Sequence, residues 1–475
     1  MRKLLYSAIK KSILGKFLIY AVQFSALAIY ARLFSPEQFG VIASIQVFVI
    51  FFQMLSDVGI GPAIINEKSF NSNQRDGVFT VTFVLGLALG MLFYFCSYFL
   101  NSLYGGYEYQ SIAMIVSVSI VFYSLSIVPI ASLNKDAQFV RIAKSESIAE
   151  LISLFFVYFL FLADFGVLAL AAKSLLQSLF RFFLIHHQSK NTSMGRARLG
   201  REVQHIKQLA SFAGYQFGFN FINYFSRNLD NVLIAKYFGM SAVGVYEKSY
   251  QLMRYPLMVT TFAMTPAIQP ILTKVRNDKE KIIKEHDRLT SRLLALSLPI
   301  SVFLFFNSEI VILILFGEQW LEIEPLIMIF AFMIPTQAVL STSGSFFQVA
   351  NKPRLLFFSG ILSAIVNVTA IFLGVSLGEI KYVAMCLVLS FSINYFQTYF
   401  LLFRYCFNTR LRYFFVSQIK SVFIMLPSIA MYSLLDKYLL SSFEFGNFEE
   451  LLINGMLGAV SIAMFFAPIK RFLNG

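Results

Sequence analysis

Gln216, Asn220, Asn223, Arg227 and Asn231 recur at steps of 4, 3, 4 and 4, so a helix sets them along one stripe. Asp230 follows Arg227 by three residues, close enough on such a helix to pair with it. The surrounding run, 209–236, is otherwise strongly apolar. An arginine inside hydrocarbon costs a few kcal/mol or more unless it faces protein or water. The stripe therefore reads as the wall of a hydrated cavity. The plainer alternative is that Arg227 and Asp230 reach to the membrane interface. Lys236 already marks that end, and Arg227 lies about 14 Å before it at ~1.5 Å per residue, which favours the cavity.

A second set lies in the next apolar run. Glu247, Gln251 and Arg254 share a face at steps of 4 and 3, with Lys248 beside them. They either extend a cationic lining or form structural pairs such as Glu247 with Lys248, and the spacing alone fits both. Asp57, near the end of an earlier run, reads as a solvated helix end. No phosphate-binding GKS or GKT loop occurs. Cys96, Cys386 and Cys406 fall in or beside apolar segments and resemble small core residues rather than metal ligands or a disulfide framework. His186, His187, His205 and His286 read as lying in or beside basic loops. Neither a metal nor a cofactor is expected, and no catalytic residue is assigned. The lone Trp320 reads as an anchor at the membrane interface.

The elements that must position these groups are membrane helices. Of 475 residues, 57% are hydrophobic and 13% charged, against roughly 25% charged in soluble domains. Fourteen apolar runs, from 12–34 to 450–468, include 209–236, 243–272, 289–316 and 325–349; twelve is the alternative count. The expected fold class is an all-α polytopic membrane protein with about 14 transmembrane helices. Phe70–Gly77 and Lys274–Arg288 read as cytoplasmic connectors, the latter an amphipathic surface helix. The run after Lys16 continues to Phe34 without a small-residue cleavage site, so it reads as the first helix rather than a leader.

The net charge of +14 is not a nucleic-acid signature, because the charges form short clusters between apolar runs. With the N-terminus inside, 28 of the 39 Lys and Arg residues fall in cytoplasmic segments and 4 in external ones. That asymmetry supports both the count and the orientation, with both termini cytoplasmic.

The halves repeat. Residues 31–41 (ARLFSPEQFGV) match 235–245 (AKYFGMSAVGV) at an offset of 204, which also sets Pro62 on Pro266. Asn220 and Arg227 then map onto Lys16 and Gln23 of the first run, so two equivalent helices offer polar faces. The expected organisation is a six-helix lobe at 1–187, a basic cytoplasmic linker at 188–208, a second six-helix lobe at 209–404 and two further helices at 405–475. The lobes would be related by pseudo-two-fold symmetry about an axis along the membrane normal.

The pattern ARLFSPEQFGVIAS followed by LSDVGIGPAII, the stretch SRNLDNVLIAKYFGMSAVGVYEKSYQLMRYP and the prolines after it resemble the Wzx-type polysaccharide flippases. These belong to the multidrug/oligosaccharidyl-lipid/polysaccharide exporter superfamily. The resemblance runs over essentially the whole chain and is nearest to members that export colanic-acid-like, teichuronic or O-antigen units. It implies two six-helix lobes around a cationic cavity and flipping of undecaprenyl-pyrophosphate-linked oligosaccharide to the outer face of a bacterial inner membrane. Lipid-linked oligosaccharide and membrane lipid are the implied partners. H+ or Na+ is the implied coupling ion, and polysaccharide polymerase and export machinery are candidate neighbours. Arg227 and Asp230 carry over as cavity residues because they stand in the matching segment. Lys248, Gln251 and Arg254 complete the candidate lining. The rival readings are a drug or metabolite antiporter of the same superfamily and a membrane glycan polymerase or ligase, the last disfavoured by short external loops.

Overall fold

A computed structural model of the chain describes residues 2–57, 59–67, 71–258, 261, 268, 272, 278–439 and 446–465, and among them the regular structure is helical. Cα packing separates two compact units, Met1–Gly244 and Val245–Gly475.

The first unit contains α1 (Arg2–Leu33), α2 (Pro36–Asp57), α3 (Ile60–Asn66), α4 (Ser72–Tyr104), α5 (Tyr109–Lys135), α6 (Phe139–Leu162), α7 (Val167–Ser189) and α8 (Ile206–Phe238). Helix α5 packs on α4 and α7, while α6 lies between α1 and α7. Helix α8 packs on α2, α3 and α4 and so belongs to this unit. Tyr224 anchors it by donating to the Val47 carbonyl at 2.8 Å, and Phe51 meets Phe221 and Phe225 edge-on. Helix α9 (Met240–Leu257) spans the division between the units.

The second unit continues with α10 (Lys279–Phe306), α11 (Ser308–Leu315), a 3-10 turn at Glu318–Ile323, α12 (Glu324–Ala331), α13 (Met333–Leu340) and α14 (Ser343–Val349). It ends with α15 (Pro353–Ser376), α16 (Ile380–Leu401) with a π-helical turn at Leu402–Phe407, α17 (Leu411–Leu439) and α18 (Asn447–Met464). Among the described residues ten helices are long and apolar enough to cross a membrane, or eleven if one bent pair is a single span. The chain is thus an all-helical, multi-pass membrane protein.

Several expectations need correction. The connector at Phe70–Gly77 is helical from Ser72, because Asn71 and Gln74 form a reciprocal capping box. The surface helix expected at Lys274–Arg288 is, from Lys279, the first part of α10, which runs unbroken to Phe306. His286 is consequently no loop residue. It is fully buried and ringed by Phe346, Tyr399, Phe403, Phe407 and Phe414. The run 325–349 is broken, with a bend of 53° between Glu318–Ala331 and Met333–Val349. Pro335 explains the break: its ring excludes the carbonyl four residues earlier, that of Ala331. That carbonyl is satisfied from outside the helix by the Ser301 hydroxyl at 2.7 Å. Trp320 is fully buried beside Phe316 rather than poised at an interface, since the 3-10 turn folds it inward.

Helices α2 and α9 begin at matching points of the sequence repeat, and there they touch. A Cβ on Gly40 would overlap the Met240 carbonyl, and one on Gly244 would overlap the Pro36 carbonyl. Offset by 204, Pro36 corresponds to Met240 and Gly40 to Gly244, so the contact is reciprocal.

Candidate functional site

On α8 the anticipated stripe is partly described. Arg227 is exposed, while Asp230 and Asn231 are buried, at about 6% exposure each. The side chains of Gln216, Asn220 and Asn223 lie outside the described residues. Arg227 and Asp230 form no ion pair with each other among the described residues, contrary to the simple spacing argument. The Asp230 carboxylate instead accepts from the Asn231 backbone N–H at 2.9 Å. A separation of three residues leaves about 60° between two side chains, enough here to put one on an open face and the other on a packed one. On α1, Lys16 and Gln23 are each half-buried. On α9, Lys248 is buried and donates to the Gln251 side-chain carbonyl at 3.2 Å, one turn further along the helix. Arg254 is exposed with its guanidinium 5.5 Å from the Tyr250 ring centre. The open choice on this helix thus includes a Lys248–Gln251 hydrogen bond.

The most concentrated polar chemistry in the first unit was not anticipated from the sequence. Glu150 stands near the middle of α6 and is 2% exposed. It pairs with Lys173 Nζ of α7 at 3.2 Å and accepts from Gln177 Nε2 at 2.6 Å. The Lys173 ammonium lies 4.3 Å from the centre of the Tyr30 ring of α1, a cation–π contact. The Tyr30 hydroxyl is 3.4 Å from Ser153 Oγ, which donates to the Glu150 backbone carbonyl. Three helices therefore converge on one carboxylate.

One helical turn from Glu150 on α6, Glu146 lies within electrostatic reach of Arg181 of α7 and of Tyr20. The Arg181 guanidinium sits 5.1 Å from the Tyr123 ring centre, and Tyr123 in turn feels Asp57. Asp57 is the last residue of α2, half-buried rather than fully solvated, and accepts from Gly61 N of α3 at 3.0 Å. The unit thus holds three carboxylates and two cations on neighbouring helices, of which Glu150 is buried and the other four are half-buried.

Arg141 and Lys144 read from the sequence as a cytoplasmic segment before an apolar run at 148–164, and Glu146 and Glu150, at the edge of that run, carried no assigned role. In the structure α6 starts at Phe139, so those residues are helical and Glu150 is central. The available signal was the spacing of Glu146 and Glu150, and of Lys173, Gln177 and Arg181, each at steps of four.

Long apolar helices in this order, with polar groups packed between them, define a multi-pass integral membrane protein. The chain belongs to the polysaccharide biosynthesis protein family, which matches residues 29–325. It is 22% identical over 323 residues to the teichuronic acid biosynthesis protein TuaB of Bacillus subtilis, covering 66% of this chain and 65% of that protein. It is also 22% identical to the lipopolysaccharide biosynthesis protein WzxC of Escherichia coli, covering 91% of this chain and 87% of that one. In fold it is similar to the lipid II flippase MurJ in an inward closed conformation. That match has a TM-score of 0.79 at 17% identity and covers 98% of this chain and 99% of that one. The Wzx-type resemblance read from the sequence is therefore upheld.

Proposed function

We propose that the chain flips a polyprenyl-diphosphate-linked oligosaccharide across the bacterial cytoplasmic membrane, for assembly of a surface polysaccharide. The observation that carries this reading is the family match over 29–325, a span that includes the α6–α7 set and the polar positions of α8 and α9. The candidate groups for the diphosphate and sugars are Lys16, Gln23, Arg227 and the amides of α8, and, on α9, Lys248, Gln251 and Arg254. Such cations and amides offset the hydration that the headgroup loses. The polyprenyl tail stays in lipid, and alternating access moves the headgroup without a chemical step.

In this reading the six-helix lobes are 1–187 and 209–404, the helices after 404 bring the count to fourteen, and both termini are cytoplasmic. The reciprocal contact of Gly40 and Gly244 supports the pseudo-two-fold relation. Coupling to H+ or Na+ finds support in Glu150, a buried carboxylate whose pairing with Lys173 could be exchanged for a proton or a metal cation. The same carboxylate is the one observation favouring the rival reading, a cation-coupled antiporter for drugs or metabolites.

The test is a flipping assay in proteoliposomes with a panel of lipid-linked glycans and cationic drugs, run with and without H+ and Na+ gradients. Glycan flipping is expected. Drug movement without glycan flipping overturns the proposal in favour of the antiporter. Within the assay, Arg227→Ala should abolish flipping in a folded protein, and Arg227→Lys should keep part of it because charge survives without the bidentate fork.

A further inference from the structure

The basic stretch after α7 is not a loose tether. Residues 190–205 are laid along the first turns of α4 by contacts that leave little slack. Arg75, itself 8% exposed, donates to the Met194 carbonyl. Asp76 accepts from the Arg198 backbone N–H at 2.9 Å, and the Thr80 hydroxyl bonds both N and O of Gly200. Ser193 donates twice to Asp136, and Gln74 lies 3.3 Å from His205. Backbone meets backbone where glycine permits: a Cβ on Gly77 would overlap the Glu202 carbonyl, and one on Gly200 would strike Asp76.

This strap encloses an open groove of about 430 Å3 against α4, α5 and α7, inside the roughly 300–1,000 Å3 range of small-ligand sites. Its floor is apolar: Phe79, Phe83, Leu125 and Phe182. Its rim is basic, with Arg196, Arg198 and His186. The His186 ring is stacked between Phe79 and Phe182, with centroids at 5.7 and 5.1 Å, and its Nδ1 is buried with no hydrogen-bond partner among the described residues. Both arginines are exposed, and their guanidinium groups make no ion pair or hydrogen bond among the described residues. Leu199, beside them, exposes 66% of its surface.

We propose that this groove holds the headgroup of an anionic glycerophospholipid. The phosphate would be bound by Arg196 and Arg198 with His186 donating from Nδ1, and the first methylenes of an acyl chain would lie on the phenylalanine floor. The amphipathic build fits a lipid: cations at the rim and hydrocarbon contact below, at the end of membrane-spanning helices. The volume suits a glycerophosphate and a short length of chain and leaves no room for a diphosphate carrying several sugars. The proposal is independent of the transported cargo, since every lining residue belongs to the strap or to α4, α5 and α7.

The experiment uses the purified full chain in neutral detergent, titrated with phosphatidylglycerol or phosphatidylcholine, with bound lipid counted by native mass spectrometry and thermal midpoints recorded in parallel. Phosphatidylglycerol alone should be retained at one site per chain and should raise the midpoint. Arg196→Gln/Arg198→Gln should weaken its retention by about tenfold or more, as expected for two cations near one phosphate. His186→Phe, which keeps the stacked rings, should weaken it several-fold. Arg410→Gln/Arg412→Gln, two exposed cations of the second unit, should leave it unchanged. Retention unaffected by the Arg196/Arg198 pair, or reduced equally by the Arg410/Arg412 pair, overturns the site. So does a variant-sensitive response to undecaprenyl diphosphate with none to phosphatidylglycerol, which would assign the groove to cargo.

Discussion

Where α6 meets α7, Glu150 from the middle of α6 faces Lys173 from the second turn of α7, with a tyrosine ring over the ammonium. Where α15 meets α16, the interior polar groups are neutral. Asn367 Oδ1 accepts from Ser390 and, at 3.0 Å, from Asn394, while Ser359 faces Thr398 at 3.2 Å and accepts from Gln397. The sequence repeat would equate these two helix pairs. Hydrogen bonds between membrane helices average about 0.6 kcal/mol, whereas removing one partner of a buried ion pair costs about 3–5 kcal/mol. The amide cluster is therefore suited to fixing a helix interface in one register. The ion pair has larger stakes, and of the two interfaces it is the one that a proton or a cation would alter. If the proposed flipping is ion-coupled, the α6–α7 pair is where that coupling is expected.

The largest effect should come from breaking the charged side alone. Glu150→Ala leaves Lys173 without its carboxylate and should cost a few kcal/mol, less than a wholly buried pair because the Lys173 side chain is 31% exposed. Flipping should fall with it. Glu150→Gln/Lys173→Gln should recover the thermal midpoint, and flipping by that double variant should no longer respond to an imposed ion gradient. A full gradient response would move coupling elsewhere and erase the contrast between the helix pairs.

The neutral side should answer more weakly and without ion dependence. Asn367→Ala strands two donors and should lower stability by about 1–2 kcal/mol in a thermal melt. The gradient response of flipping should survive. Loss of that response would mean that both helix pairs carry coupling.

The smallest effect is expected outside the spans. Tyr107, between α4 and α5, donates to the Glu37 carboxylate, and burial with that carboxylate pushes its phenol up to about 12. The unfolded phenol loses its proton first, so this contact stabilises fully below about pH 10 and weakens between about 10 and 12. Tyr107→Phe should cost about 0.5–1.5 kcal/mol near neutral pH and flatten that alkaline decline, measured by melts across pH.

Much of the fold was legible because lipid imposes long apolar runs, and the family pattern was carried by segments such as RNLDN and AKYFGMSAVGV. What failed did so for local reasons. Charged residues were taken to end helices, yet α6 begins eleven residues before Glu150 and α10 carries Lys279–Arg288 into its apolar part. The bend at Phe332 depended on a hydroxyl thirty residues away, Ser301, to receive the carbonyl that Pro335 displaces. On α8 a helical period does not say which neighbour each side chain meets. Arg227 and Asp230 came to lie on different faces.

The crossing of α2 and α9 carries a consequence for ancestry. Each glycine lies against the carbonyl of the other segment's residue that corresponds to its own neighbour four positions back, Gly40 on Met240 and Gly244 on Pro36. That is the signature of an isologous surface, in which one patch serves as both donor and recipient of the contact. An ancestral half-length chain dimerising through this patch would have needed a single glycine to make both contacts. Fusion into one gene would then have released the two copies to drift, which fits Pro36 against Met240 and Arg32 against Lys236. At the glycines that freedom is withheld, because a side chain on either one obstructs a backbone that no rotamer can move aside.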